Sequence, residues 1–437
     1  MAARMLLFLL LAASIGSAEL TRAEKKKVRE VVTALLTAKK PKERAALVAT
    51  LADLEAKAAL EEIEAAVREG PLLAGGPPPA RRVRGRKEQI TRVAKVFVGY
   101  SFEYDGEVYR YAVDVPRKYD PARAWPVLLD PGHGSWKKMS DQEKGRGMDF
   151  FRGHADKGGG QDWIVVRTDI VEDIGADTKN KPEDCGSKVF QEMFRDLATR
   201  YHFDPDRVYV GGLSQTGFWA WLLGRERPDR FAGLAPMAAI TWGVDDYLGN
   251  YINLPIYVLH GEKDPTCDVM QPRATCPALA RHGVPIVYRE IPGGTHGDGV
   301  FPLFGDALAH VGRFTRTRYP MRISKSLQTT LDGWCYWVRV DKLEKEGQGR
   351  ANHPPTAGID GERDGQTIRL YSDGVKRITL GLASEMVDLD QPVVVIWNGK
   401  QVHAGRVERS LATLLELVHD KADWRQTFEA KLDLRAP

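Results

Sequence analysis

The chain has 437 residues, with 43% hydrophobic and 28% charged side chains, a composition that suits a folded protein of two or three domains and excludes a disordered or fibrous one. Its formal net charge of +4 is small for this length and excludes the kind of nucleic-acid footprint that gathers basic residues on one face. No stretch beyond the N-terminus approaches the roughly 18 uninterrupted apolar residues of a membrane helix, so no integral membrane span is expected.

Residues 1–18, "MAARMLLFLLLAASIGSA", carry an early arginine, a short apolar run and small residues before Ala18. They read as a signal peptide, which predicts a secreted or periplasmic protein. An oxidising compartment permits disulfides, and Cys185, Cys267, Cys276 and Cys335 allow three pairings. Cys267 and Cys276 flank a proline-containing loop and are expected to bridge locally. Neither a C-x-x-C pair nor a His/Cys cluster with zinc spacing occurs, so no metal is expected.

Residues 19–70 predict a helical hairpin. Thr21 and Glu24 form a capping box, and Val28, Val31, Val32, Leu35 and Leu36 fall on one helical face. The second arm starts at Pro41 and carries Leu47, Leu51, Leu54, Ile63 and Val67 to a stop at Gly70. Residues 71–94, rich in proline, glycine and arginine, read as a linker and the approach to a first strand.

Over residues 95–318, strands alternate with helices: "RYAVDVP", "WPVLLDPGHG", "DWIVVRTD", "RVYVGG", "FAGLAPMAA", "PIYVLHG" and "IVYREIPGG". This pattern predicts an α/β domain with a mostly parallel, doubly wound sheet, whose strand-end turns are where ligands bind. Residues 319–437 predict a β-rich accessory domain. There "GWCYWVRV", "TIRLYSDGVKRITL" and "PVVVIWNGKQVHAGRV" are β runs, with hairpin dipeptides at Asp373-Gly374 and Asn398-Gly399. A short helix, "LATLLELVH", precedes a last strand near Phe428–Leu434.

The segment that carries chemistry is "DPDRVYVGGLSQTGFWAWLL", a strand, a sharp turn and an apolar helix that would expose Ser214. A serine hydroxyl becomes nucleophilic when an imidazole takes its proton and a carboxylate orients the imidazole. In chain order, the next strand-end acid is Asp264 in "LHGEKDP", with Glu262 and Asp268 as rivals in the same loop, and His296 follows in "GGTHG". The order serine, acid, histidine after successive strands is that of a Ser-His-Asp triad on an α/β sheet. Stabilising the tetrahedral intermediate needs two donors. The amide of Gln215 is one candidate, and Gly134 or Ser135 in "LLDPGHGSW" supplies the other.

These segments, with "YRYAVDVPRKYDPARAWPVLLDPGHG" and "FDPDRVYVGGLSQTG", resemble the α/β-hydrolase superfamily. In particular they resemble its secreted esterase branch, related to feruloyl and acetylxylan esterases, polyhydroxybutyrate depolymerases and the phospholipase/carboxylesterase group. The resemblance covers about half the chain. It implies that Ser214 is the nucleophile, that Asp264, the aspartate of the H-G-x-x-D motif, is the acid, that His296 is the base, that His260 is structural, and that no cofactor is needed. The chain departs from the family in three respects: Thr216 stands where the elbow usually has glycine, the oxyanion loop reads D-P-G-H-G-S, and the N-terminal helices and β-rich C-terminal region fall outside the resemblance.

The leading expectation is a secreted serine hydrolase cleaving carboxylic esters, whose activity falls as acid protonates His296. A serine peptidase of the prolyl-oligopeptidase kind shares these motifs, although the residues before the core show no repeated blades. A non-catalytic binding or envelope protein on a hydrolase frame is the third reading, motivated by Thr216 and the unusual loop. A polysaccharide-linked or phenolic ester would suit stacking on Trp136, Trp163, Trp219 or Trp242. Trp334, Trp337 and Trp397 lie within β runs and are expected to fill the core of their own domain.

Overall fold

The computed structural model describes residues 19–73, 97–116, 118–132, 141–157, 163–168, 170, 187–331, 333–347 and 353–437. The signal-peptide segment, residues 74–94 of the linker, Gly134, Ser135, Trp136 and Cys185 lie outside the described residues. No described helix is long and apolar enough to cross a membrane.

The first arm of the N-terminal hairpin is α1 (Arg22–Thr37), opened by the expected capping box, in which the Glu24 amide donates to the Thr21 hydroxyl at 3.3 Å and Glu24 Oε2 accepts from the Thr21 amide at 2.8 Å. The second arm runs in three pieces, α2 (Pro41–Ala49), α3 (Ala52–Glu55) and α4 (Leu60–Arg68). Thr50 interrupts it by donating its hydroxyl to the Leu47 carbonyl at 2.6 Å. The breaks let Leu51, Leu54, Ile63 and Val67 all reach the apolar face of α1.

The central unit is an eight-stranded sheet in the order β1-β2-β4-β3-β5-β6-β7-β8. Its strands are β1 (Phe97–Tyr104), β2 (Glu107–Asp114), β3 (Trp125–Asp130), β4 (Ile164–Thr168), β5 (Phe203–Leu213), β6 (Gly233–Met237), β7 (Ile256–Gly261) and β8 (Ile286–Ile291). The pairs β1/β2 and β2/β4 are antiparallel, and every other pair is parallel. The β1/β2 hairpin turns at Asp105-Gly106, where both residues have positive φ. That Asp-Gly dipeptide is a hairpin signal that the sequence reading passed over.

Both faces of the sheet are covered, which is why its strands read as continuous apolar runs rather than as alternation. Leu128, Val165, Tyr209 and Leu259 point to the face covered by α5 (Asp141–Lys157) and α9 (Phe304–Val311). Val127, Leu129, Val166 and Val210 point to the other face, which carries α6 (Ser187–Arg200), α7 (Gln215–Glu226) and α8 (Met270–Arg281). The N-terminal helices extend this second layer outward, and their buried residues share one core with it.

The C-terminal β-rich region folds as two sheets. One, in the order β16-β15-β13-β12-β9, contains β9 (Arg322–Leu327), β12 (Ala357–Asp364), β13 (Thr367–Asp373), β15 (Val393–Trp397) and β16 (Lys400–Gly405). The other, in the order β10-β11-β14-β17, contains β10 (Trp334–Cys335), β11 (Val338–Leu343), β14 (Val375–Leu382) and β17 (Ala430–Arg435). Asn398-Gly399 makes the expected hairpin between β15 and β16. Asp373-Gly374 does not make a hairpin: β13 and β14 belong to different sheets, and the chain uses the positive φ of Gly374 to cross between them. The helix α10 (Leu411–Lys421) turns Leu411, Leu414, Leu415 and Val418 toward the N-terminal helices and Leu417 toward the β core, so it joins the two.

The expected bridge between Cys267 and Cys276 is absent, and the thiols of Cys267, Cys276 and Cys335 are free and buried. Cys276 is held on the buried side of α8, whereas Cys267 lies in the loop before that helix and turns its sulfur toward the sheet's carboxyl edge.

Glu64 is buried where α4 meets the β-rich region. It accepts from the Thr427 hydroxyl at 2.5 Å and from Arg68 at 2.8 Å, and Arg68 also reaches Glu385 at 2.6 Å. Burial, reinforced by the charges of Glu429 and Glu385, pushes the Glu64 carboxyl up to about 7 against the pull of Thr427 and Arg68. The unfolded chain releases this proton near 4.5. Glu64 therefore contributes stability that is complete below that value and lost as pH rises toward about 7. Glu64→Gln carries a neutral amide at every pH. Thermal scans at pH 5 and pH 8 are expected to show the wild type losing about 2–4 °C relative to this variant; parallel profiles would mean that Glu64 is already ionised in the fold.

Candidate active site

Ser214 sits between the end of β5 and the start of α7 with φ 58° and ψ −120°, a backbone conformation that strains any residue with a side chain. The turn is held on both sides. The Ser214 amide donates to the Met237 carbonyl of β6 at 2.8 Å, and its carbonyl accepts from the Phe218 amide at 2.9 Å. The departure from the family pattern finds its explanation here. A Cβ on Gly212 would lie 2.0 Å from Thr216 Oγ1 and 2.6 Å from Thr216 Cβ, so the threonine occupies the space that Gly212 leaves free. Its hydroxyl donates back to the Leu213 carbonyl at 2.9 Å. Gly217 then gives the close helix–sheet approach, since a Cβ there would meet the Gly212 carbonyl at 2.7 Å and Ala239 at 2.8 Å.

Asp264 and His296 come from the loops after β7 and β8. These loops lie against each other because Gly261 has no side chain; a Cβ there would fall 2.3 Å from the Thr295 carbonyl and 2.5 Å from that of Gly294. Lys263 and Glu262 donate their amides across the gap, to Gly294 at 2.8 Å and Ile291 at 3.0 Å. His296 Nδ1 then meets Asp264 Oδ2 at 2.9 Å and Oδ1 at 3.1 Å. A carboxylate accepts, so Nδ1 carries the proton and Nε2 is left with a free lone pair. The Asp264 side chain is fully buried, whereas that of His296 is 26% exposed.

Burial would raise the Asp264 carboxyl. The Cys267 amide at 2.9 Å, the His296 ring and the Thr266 amide at 2.8 Å together outweigh it and hold the pKa below the usual aspartate value. His260, wholly buried behind the acid, has its pKa lowered chiefly by burial. Its Nε2 donates to the Cys267 carbonyl at 2.9 Å and lies 3.4 Å from Asp264 Oδ2, so it buttresses the acid loop. The two rival acids are occupied elsewhere: Glu262 accepts the Gly293 amide at 2.7 Å, and Asp268 accepts the Met270 amide at 2.9 Å at the start of α8.

One neighbour of the site was not foreseen. Burial, then the Asp264 charge, push the Cys267 thiol up to about 11 against the pull of the Ser214 side chain. Its sulfur, an Asp264 carboxylate oxygen and a His296 ring nitrogen all lie within 4.8 Å of one another. Asp264 and His296 thus share a cluster with one buried sulfur. The signal for it was local, since Cys267 follows Asp264 by three positions in a loop whose amides fold back onto that carboxylate.

Of the expected oxyanion donors, the Gln215 amide opens α7, where the helix dipole favours negative charge. Gly134 and Ser135 lie outside the described residues, but the root of their loop is well held. Asp130 accepts the Gly132 amide at 3.0 Å and pairs with Arg167 at 3.1 Å, while Thr168 donates to the Pro131 carbonyl at 2.5 Å. Among the described tryptophans proposed for stacking, Trp163 is buried and stacked on Tyr209 at 4.7 Å, and Trp219 is partly buried beside Phe218. Trp242, in the loop after β6, is 51% exposed and offers an open ring. Trp334, Trp337 and Trp397 are buried in the β-rich region, as expected.

Strand order and the positions of the elbow and loops together decide the architecture. The fold is mixed α/β, with an eight-stranded, mostly parallel sheet covered on both faces. Neither a protein-family model nor a curated protein sequence matches the chain. Among solved structures, a thermostable esterase is similar at 21% identity over 50% of this chain and 63% of its own, with a TM-score of 0.40. A ferulic acid esterase is similar at 17% identity over 50% of this chain and 98% of its own, with a TM-score of 0.41. Dipeptidyl peptidase 4 from Porphyromonas gingivalis is similar at 12% identity over 50% of this chain and 36% of its own, with a TM-score of 0.40. The chain therefore spans less than two thirds of the length of the thermostable esterase and of the peptidase.

The fit of Thr216 over Gly212 is testable with an ester substrate. Gly212→Ala drives a methyl into Thr216 and is expected to lower kcat/KM by about 100-fold through displacement of Ser214. Thr216→Gly alone keeps activity, and adding it to Gly212→Ala restores most of the loss. A double variant as impaired as Gly212→Ala would show that the clash lies elsewhere.

Proposed function

We propose that this protein is an exported serine hydrolase that cleaves carboxylic esters through an acyl-enzyme on Ser214. The observation that carries the proposal is the bond from His296 Nδ1 to the buried Asp264 carboxylate, on loops beside a serine strained into positive φ. In this reading His296 Nε2 takes the Ser214 proton as the hydroxyl oxygen attacks the ester carbonyl. Asp264 stays ionised, fixes the tautomer and stabilises the imidazolium. The oxyanion is met by the Gln215 amide and by an amide from Gly134 or Ser135. His296 then returns its proton to the leaving alcohol, and water repeats the sequence on the acyl group. The chemistry uses no cofactor.

The lowered pKa of Asp264 bears on pH dependence. A depressed carboxyl loses its charge only when the pH falls below the usual aspartate range, so Asp264 keeps through mild acid the charge that orients the His296 imidazole. The exposed ring of Trp242 supports a phenolic or polysaccharide-linked ester. Export rests on the sequence of residues 1–18.

A fluorophosphonate probe is expected to label the wild type and not Ser214→Ala. Asp264→Asn, which removes the acceptor that selects the tautomer, should lower kcat by about 10⁴-fold while leaving the fold intact. Absence of labelling in folded wild type would instead support a non-catalytic binding protein. Turnover of aminoacyl anilides in preference to aryl esters would move the assignment to a peptidase.

A further inference from the structure

The cluster that holds Asp264 and His296 includes a thiol that hydrolysis does not require, that of Cys267. Asp264 offers a carboxylate oxygen, Cys267 a sulfur and His296 a ring nitrogen, and the three atoms lie within 4.8 Å of one another. In a tetrahedral zinc-type site, bonds of about 2.0–2.3 Å place neighbouring donors about 3.3–3.8 Å apart. A shift of about 1 Å or less per side chain therefore closes the set around an ion.

Two further features suit a metal. The Cys267 thiol is 6% exposed and forms no disulfide, and its residue is held at both ends, the amide by Asp264 and the carbonyl by His260. The sulfur is thus fixed in place before any ion arrives. His296 is 26% exposed, which leaves a path from solvent and room for water as a fourth ligand. The mixture of sulfur, nitrogen and one oxygen selects a soft or borderline divalent ion over calcium or magnesium, which take oxygen ligands.

We propose that Asp264, Cys267 and His296 form an inhibitory binding site for Zn²⁺ or a similar transition-metal ion. Binding breaks the Cys267 S–H bond and forms a sulfur–metal bond, with the proton leaving to solvent and no change of oxidation state. The same ion takes the unprotonated nitrogen of His296 and the Asp264 carboxylate, so neither is left to serve Ser214. Metal binding and hydrolysis therefore exclude each other. The inhibitory half of this proposal rests on the serine-hydrolase reading; the binding half does not.

The test uses the whole protein with Co²⁺ as a spectroscopic probe and Zn²⁺ as inhibitor, on wild type, Cys267→Ala and Cys267→Ser. The expected result is a thiolate-to-cobalt charge-transfer band in the wild type that both variants lose. The Zn²⁺ concentration giving half inhibition of ester hydrolysis should rise at least about tenfold in the variants, each compared with its own untreated rate. No band in folded wild type, or a band that persists in both variants, overturns the site. A band with no zinc inhibition of an active enzyme overturns its inhibitory role. A band lost in the variants, in a protein that hydrolyses no ester and takes no fluorophosphonate, upholds the site and sinks the hydrolase reading instead.

Discussion

The arrangement at the carboxyl edge of the sheet depends on the close approach of the loops after β7 and β8. Gly261 permits it, because any side chain there would strike the Gly294 and Thr295 carbonyls. Once the loops touch, their amides and carbonyls pair across the gap, and the Asp264 side chain is buried against His296, whose own side chain is 26% exposed. A buried carboxylate without partners would be costly. Here three hydrogen bonds keep it ionised, and in doing so they fix the orientation of the imidazole. The same fold of the loop carries Cys267 into the cluster, so Asp264, His296 and the sulfur are brought together by one packing constraint.

The platform beneath is rigid for a different reason. Segments far apart in sequence meet through buried ions rather than through apolar contact alone. Arg316, at the end of the α/β segment, pairs with Asp206 of β5 at 2.8 Å and with Asp423, beyond α10, at 2.5 Å. Lys421, at the end of α10, reaches Asp229 at 2.5 Å and is buried with it. Removing one partner of such a pair strands the other charge in a low dielectric and costs about 3–5 kcal/mol. With α10 contributing to the core of the N-terminal helices as well, the C-terminal region is joined to the element that feeds the Ser214 elbow.

Much of this was legible from local signals. The capping box at Thr21, the strands ending in glycine turns, the Asn398-Gly399 hairpin and the order Ser214, Asp264, His296 all depend on neighbours in sequence. The errors came where a local signal has two outcomes. Asp373-Gly374 has hairpin chemistry, yet the chain there changes sheets, because β14 finds its partners in β11 and β17. Cys267 and Cys276 are close in sequence, yet one faces the sheet edge and the other lies on the buried side of a helix. Thr216 looked like a defect in the elbow until Gly212 was seen to provide its space.

The sequence by itself determined the alternation of strands and helices, the glycine turns at strand ends and the order of a candidate serine, a strand-end acidic loop and a histidine, since these follow from periodicity, turn chemistry and spacing. It could not choose among Glu262, Asp264 and Asp268, because all three sit in one loop and differ only in what they face. Tertiary structure made that choice by turning Asp264 toward His296 and the other two toward backbone amides. It alone brought Cys267 into the same cluster, because the distance between the loops after β7 and β8 is set by packing across the sheet.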